Sequence, residues 1–221
     1  MCNLYSQKKS LQEVREWFGV QKITSAAGNL PSQLSIFPGY NAPVVYNDGN
    51  ERVLDMMKWG FVFTQKGRVP KHVNNCRDDK LKLSKFWFSS FENRRCLVPA
   101  SRFSEYHPSV KNNMGHKANV WFELKNKNLF AFAGIWKKFK GEYRGEYLEF
   151  NTFSIVTTIP NEIVKPIHPS RMPVIIDPID YDTWLNENIT KASELLIQYP
   201  SEMMKVAGLG SKSDYDLTLI P

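Results

Sequence analysis

Apolar positions along this chain follow two different periods. Near the start they fall at Leu11, Val14, Trp17 and Phe18, the three-and-four spacing that gives a helix one buried stripe. Ser10 and Glu13 form a capping box ahead of this run, and Gly19 follows it where a left-handed stop belongs. The spacing therefore predicts an amphipathic helix packed on a core. From Val44 onward the pattern changes to short runs rich in aromatic and β-branched residues, at 53–59, 96–99, 120–124, 129–136 and 150–157, separated by Gly, Pro and Asn clusters. Such runs predict strands of an antiparallel sheet or barrel. Residues 78–91 are compatible with a helix, and 181–185 and 191–198 suggest two short ones. The expected class is α+β, with a β-barrel-like antiparallel core, flanking helices, no internal repeat and no linker, so that residues 1–221 form one domain.

Composition adds little to the fold but narrows the partners. A chain of 221 residues with 42% apolar and 23% charged residues buries a sizeable core without disulfide or metal staples. The excess of 29 Lys and Arg over 22 Asp and Glu favours polyanions, although many basic proteins bind no nucleic acid. The first twenty residues carry Lys8, Lys9, Glu13, Arg15 and Glu16 and have no apolar segment of signal-peptide type. No run approaches the ~20 apolar residues of a spanning helix, so a cytoplasmic, monomeric protein with no membrane association is expected. Cys2, Cys76 and Cys96 are odd in number and contain no Cys-x-x-Cys pair, which suits a reducing compartment. His72 and Cys76 sit four apart, but no second pair follows at zinc-site spacing, and neither a metal nor another cofactor is expected.

Four segments carry groups capable of chemistry. Cys2 becomes residue one once Met1 is removed, and its end is then a 1,2-aminothiol. An α-amino group titrates near ~7.7–8.0, so a useful fraction is nucleophilic at neutral pH, and a thiol on the same residue can close on the same carbon. An incidental thiol on a frayed terminus is the other reading. The stretch from Val73 to Asp79 places amides, Arg77 and two carboxylates just before a helix, where phosphate binding and plain capping are equally natural. Glu105 lies among aromatics between Arg94 and Tyr106, where desolvation would suit it to acid/base work, although most carboxylates are simply solvated. His168 and Arg171 sit in a proline-bounded loop entering an apolar strand, and a lone histidine is often structural.

Taken in order, these segments resemble the SRAP family, the abasic-site processing proteins. The match rests on the Met-Cys start with Tyr5, on Trp59-Gly60, on Asn75-Cys76-Arg77-x-Asp79 with Arg95-Cys96 to Glu105 behind it, and on His168 followed by Arg171-Met172-Pro173. The resemblance implies a compact SRAP domain around a basic DNA groove. It implies that Cys2 crosslinks to the aldehyde of an abasic site in single-stranded DNA, with Asn75 against the terminal amine and the opened sugar. Glu105 would then open the deoxyribose and help reverse the adduct, His168 would move protons at the Schiff-base stage, and Arg77 and Arg171 would hold phosphates. The chain departs from the common pattern in having Asn3 and Leu4 where Gly and Arg are usual, and Pro169 and Ser170 make the histidine loop one residue longer. Residues 61–72 lack the tryptophan that wedges a base, for which Phe63 is the substitute. Two rival readings remain: an N-terminal-nucleophile peptidase or amidohydrolase, and a non-catalytic basic nucleic-acid-binding module.

Overall fold

A computed structural model describes residues 2–65, 68–112 and 115–212. Met1, whose removal the chemistry of Cys2 requires, lies outside the described residues. Strand β1 (Leu4–Gln7) leads into helix α1 (Leu11–Phe18), the helix that the apolar spacing predicts. The Ser10 hydroxyl accepts from the Glu13 amide, the Glu13 carboxylate accepts from the Ser10 amide, and Gly19 turns left-handed at φ 60°. Val14 and Phe18 are buried, whereas Trp17 stays 39% exposed and donates through its indole to Tyr181.

Short strands β2 (Lys22–Ile23) and β3 (Gln33–Ile36) precede the hairpin of β4 (Asn41–Asp48) and β5 (Glu51–Trp59). A smaller hairpin follows, β6 (Phe61–Phe63) with β7 (Lys71–Val73), and then β8 (Asn75–Arg77). The expected single helix over 78–91 is instead two, α2 (Asp78–Leu81) and α3 (Lys85–Asn93). Ser84 is the cause: its hydroxyl accepts from the Phe86 amide and starts a new helix. The long strands are β9 (Arg95–Ala100), β10 (Arg102–Lys111), β11 (Lys117–Leu124), β12 (Phe130–Tyr143) and β13 (Glu146–Thr158). After β14 (Met172–Pro173) and β15 (Ile175–Ile176), helix α4 (Tyr181–Asn186) falls where expected. Helix α5 (Ile189–Glu194) begins and ends earlier than the expected 191–198, because Asn188 caps the Thr190 and Lys191 amides. Strand β16 (Met204–Gly210) follows.

One sheet runs β16-β11-β10-β1-β3 and the other β14-β13-β12-β9-β4-β5-β2, with β15 added on β12 and β8 on β13. Between the two sheets lies a barrel-like core that includes Tyr5, Trp59, Phe103, Phe122, Phe132 and Phe153. The outer face of the larger sheet is covered by the helices through Val14, Phe18, Trp87, Phe91 and Trp184. This is the expected α+β class with a largely antiparallel core. Three parallel pairings, β13 with β5, β13 with β8 and β2 with β5, were not legible from the alternation of apolar residues, which is the same for either strand direction. The β12–β13 hairpin also runs well past the apolar stretch at 129–136, since Arg144 and Gly145, both at positive φ, form a two-residue turn that pairs Tyr143 with Glu146. No helix among the described residues is long and apolar enough to cross a membrane.

Gly60 joins β5 to the small hairpin at φ +114°, and a Cβ there would meet His72 Cβ at 2.8 Å. His72 is held in that position by Gly60 O at 3.3 Å and by the Tyr143 hydroxyl at 2.8 Å, so it cannot yield cheaply. Gly60→Ala is expected to cost at least about 2 kcal/mol and to lower the thermal midpoint by roughly 4–8 °C, as read by circular dichroism. An unchanged midpoint would show that the hairpin tolerates the side chain.

Candidate functional site

The site is built where β1 enters the barrel. In the antiparallel register of β1 with β10, Tyr5 faces Phe103, and alternation then puts Glu105 on the same interior face. Cys2, just ahead of β1, is fully buried among the core aromatics, and its thiol donates to the Leu4 carbonyl at 3.7 Å. Two amides grip the Cys2 carbonyl oxygen: Asn75 Nδ2 donates at 2.7 Å and Asn74 Nδ2 at 3.2 Å. Asn74 Nδ2 also reaches Asn3 Oδ1 at 2.7 Å, while the Asn74 carbonyl accepts from Trp59 Nε1 at 2.8 Å and from the Ile155 amide at 3.0 Å. The parallel pairing of β8 with β13 sets this geometry by placing Asn75 opposite Ile155. Asn75 Oδ1 is buried and has no partner among the described residues, which leaves an acceptor for an ammonium or a sugar hydroxyl.

Glu105 is 4% exposed, and burial pushes its carboxyl up to about 7. Burial drives the Cys2 thiol far above its ordinary value, and the charge of Glu105 adds to the shift. Glu105 and Cys2 are thus close enough to act electrostatically on one another. His168 is lowered by burial.

The long histidine loop is anchored at its base. Asn161 Oδ1 accepts from the Val164 amide at 3.0 Å, and Asn161 Nδ2 donates to the Tyr199 carbonyl at 2.7 Å. Val164 is buried, and its carbonyl accepts from the Ile167 and His168 amides. Beyond this turn Pro169 and Ser170 are exposed. The Arg171 amide donates to His168 Nδ1 at 3.2 Å, so a neutral ring carries its proton on Nε2.

The two arginines differ in what is left to bind. Arg77 is exposed and makes a bidentate pair with Asp79 at 2.8 and 2.9 Å. Arg171 is 8% exposed, and its guanidinium is already committed to Asp78, to the Thr157 carbonyl and to Thr157 Oγ1. Arg171 thereby ties the histidine loop to α2 and β13. Phe63 lies apart from the Cys2 cluster, 46% exposed on β6 against Phe86. The structure thus gathers Cys2, Asn75 and Glu105, sets His168 on the loop that Arg171 ties down, leaves Arg77 and Phe63 at the surface, and turns Arg171 inward. Sequence reasoning passed over Asn74 and Asn161. The tandem Asn74-Asn75 was a signal for the first, and nothing local marks the second. Among the described residues no group of three or more His, Cys, Asp or Glu side chains is placed to hold a metal ion. A buried N-terminal cysteine position beside a carboxylic acid is suited to covalent capture of a carbonyl carbon.

Comparison with known proteins bears on this reading. The family described as SOS response associated peptidase (SRAP) matches residues 1–212. The abasic site processing protein YoqW of Bacillus subtilis is 28% identical over 219 residues, covering 96% of this chain and 93% of that one. The abasic site processing protein YoaM of the same organism is 26% identical over 216 residues, covering 96% and 92%. The abasic site processing protein HMCES of Xenopus tropicalis is 26% identical over 167 residues, covering 63% of this chain and 49% of its own. A crystal structure of a protein from Bacteroides thetaiotaomicron superposes with a TM-score of 0.78 at 20% identity, covering 95% of this chain and 92% of that one.

Proposed function

The chain belongs to the SOS response associated peptidase (SRAP) family, and we propose that it captures abasic sites in single-stranded DNA as a covalent adduct on Cys2, shielding them until repair. The names of its relatives, abasic site processing proteins, support the substrate class. The observation that carries the chemistry is the burial of Cys2 with its carbonyl held by Asn75 and with the charge of the buried Glu105 bearing on its thiol.

The steps follow from the state of each group. With Met1 gone, the Cys2 α-amine is the terminus, and the Asn74 and Asn75 amides on the Cys2 carbonyl fix where it sits. Glu105, protonated below about 7, gives a proton to the ring oxygen of the closed deoxyribose as the bond from that oxygen to C1′ breaks and the C1′ hydroxyl loses its proton, leaving an aldehyde. The amine attacks that carbon, and loss of water gives an imine, with His168 as the group that moves the protons in this reading. The thiol then adds to the imine carbon, its proton passing to nitrogen, which closes a five-membered thiazolidine. Because burial keeps the thiol un-ionised, the amine acts first and the sulfur second. Strand cleavage by β-elimination from the imine is a side reaction of the same intermediate. The strand itself is held by backbone charge and base stacking.

Intact-mass measurement before and after exposure to a single-stranded oligonucleotide with one abasic site tests this directly. The expected protein lacks Met1 and gains the oligonucleotide mass less one water, and an undamaged oligonucleotide adds nothing. A processed protein whose mass the abasic strand leaves unchanged would sink the proposal, and turnover of peptides without DNA would favour the peptidase reading.

A further inference from the structure

Asn3 and Leu4, the two departures from the common family start, stand directly behind the reacting residue, and the fold treats them differently. Leu4 is turned into the protein at 4% exposure, so position 4 presents no group at the surface. Asn3 is exposed, and its side-chain oxygen accepts from Asn74 Nδ2 at 2.7 Å. The same nitrogen donates to the Cys2 carbonyl at 3.2 Å. A side-chain amide nitrogen carries two hydrogens, so both are used in bridging residues 2 and 3.

The orientation of this bridge is forced. A carbonyl oxygen only accepts, so Asn74 must turn its nitrogen towards Cys2, and Asn3 must then present its oxygen. The Asn74 main chain is fixed in turn, its carbonyl accepting from Trp59 Nε1 at 2.8 Å and from the Ile155 amide at 3.0 Å. Asn75 Nδ2 makes the other bond to the Cys2 oxygen at 2.7 Å. The segment leading into β1, in the smaller sheet, is thereby tied to β5 and β13 of the larger one.

The consequence for Cys2 is stereochemical. Its α-carbon carries the carbonyl, the β-carbon with the thiol, and the nitrogen. The thiol donates to the Leu4 carbonyl at 3.7 Å and the carbonyl is held by two amides, so the nitrogen has one direction left. Remove the Asn3 oxygen, and the Asn74 amide keeps a single acceptor and can roll about its terminal torsion, which is a broad rotor.

We infer that Asn3 is a positioning residue: acting through Asn74, it fixes the direction from which the Cys2 amine meets the aldehyde. The inference rests on the proposed covalent chemistry and adds to it a side chain that takes no part in bond making. An amine held in one direction attacks as an oriented intramolecular group does, and one that samples several directions loses part of that advantage.

Single-turnover adduct formation over a range of concentrations of an abasic single-stranded oligonucleotide tests the assignment, with intact mass confirming Met1 removal in every variant. Asn3→Ala is expected to lower the limiting rate about five- to tenfold, and Asn74→Ala by about tenfold or more. The strand concentration at half-saturation should stay the same in Asn3→Ala, and so should its thermal midpoint by circular dichroism, since the side chain is exposed. The double variant should be no slower than Asn74→Ala, because Asn3 acts only through that amide. Asn3→Asp keeps an oxygen for the Asn74 amide and should retain the wild-type limiting rate. A wild-type limiting rate in Asn3→Ala overturns the inference, as does a double variant that loses the product of the two single factors. So does a change confined to half-saturation, which would make Asn3 a contact to the strand. If the wild type forms its adduct in any of these cases, the covalent proposal stands without Asn3, whereas a wild type that forms no adduct overturns both.

Discussion

Cys2→Ser is expected to form at least about a hundredfold less of the spontaneous, denaturation-resistant adduct, while an adduct trapped by borohydride persists. The split follows from the two nucleophiles on one residue. The processed serine variant keeps its α-amine and still makes an imine, which borohydride reduces to a stable bond. It lacks the sulfur whose intramolecular addition drains the imine into a ring, and an effective concentration many orders above any external thiol is lost with it. The hydroxyl also fits the position, since the thiol it replaces already faces the Leu4 carbonyl at 3.7 Å. Denaturing gels of both variants with abasic and intact strands provide the measurement. An undiminished spontaneous adduct would exclude the thiazolidine, and loss of the borohydride-trapped product as well would mean that the amine is not the first nucleophile.

Glu105→Gln should separate reactivity from stability in opposite directions. Adduct formation is expected to fall about 100- to 1,000-fold, because the amide cannot supply a proton to the sugar ring oxygen. In the wild type the rate should rise with pH as the amine is freed and fall as Glu105 loses its proton near 7, and the falling limb should be missing in the variant. For stability the sign is as follows. Native Glu105 holds its proton up to about 7, whereas the unfolded chain releases it near 4.5, so the native state is favoured below 4.5 and loses that advantage as pH rises through 7. Removing the carboxylate is therefore expected to stabilise the fold at pH 8 by up to about 3 kcal/mol and to change little at pH 4. Urea denaturation at the two pH values reads this difference. A variant that reacts at the wild-type rate would remove Glu105 from the mechanism, and one destabilised at pH 8 would show that its carboxylate is not held against a desolvation cost.

A site that depends on such opposed effects is only partly visible along the chain. Cys2 was singled out by position and by the motifs that follow it, and the structure buries it against Asn75 and within electrostatic reach of Glu105. Arg171 shows the limit of that reasoning. Its place in the motif suggested a phosphate contact, but the fold turns its guanidinium onto Asp78 and Thr157 and leaves Arg77 as the more accessible of the two. Asn3 carried no local signal beyond its departure from the common start. It became distinctive only when the turn into β8 brought the Asn74 amide against its side chain.

Helix α1 with both of its caps, the strand positions of β5, β9 and β13, and the aromatic setting of Glu105 were all legible in the order of residues, because each depends on neighbours within a few positions of the chain. The direction of β8 against β13, the second amide on the Cys2 carbonyl and the anchoring of the His168 loop through Asn161 were decided by tertiary structure alone. Alternation states that a strand has a buried face but not which strand lies beside it, and a carboxyl moves to about 7 only when distant segments close over it and exclude water.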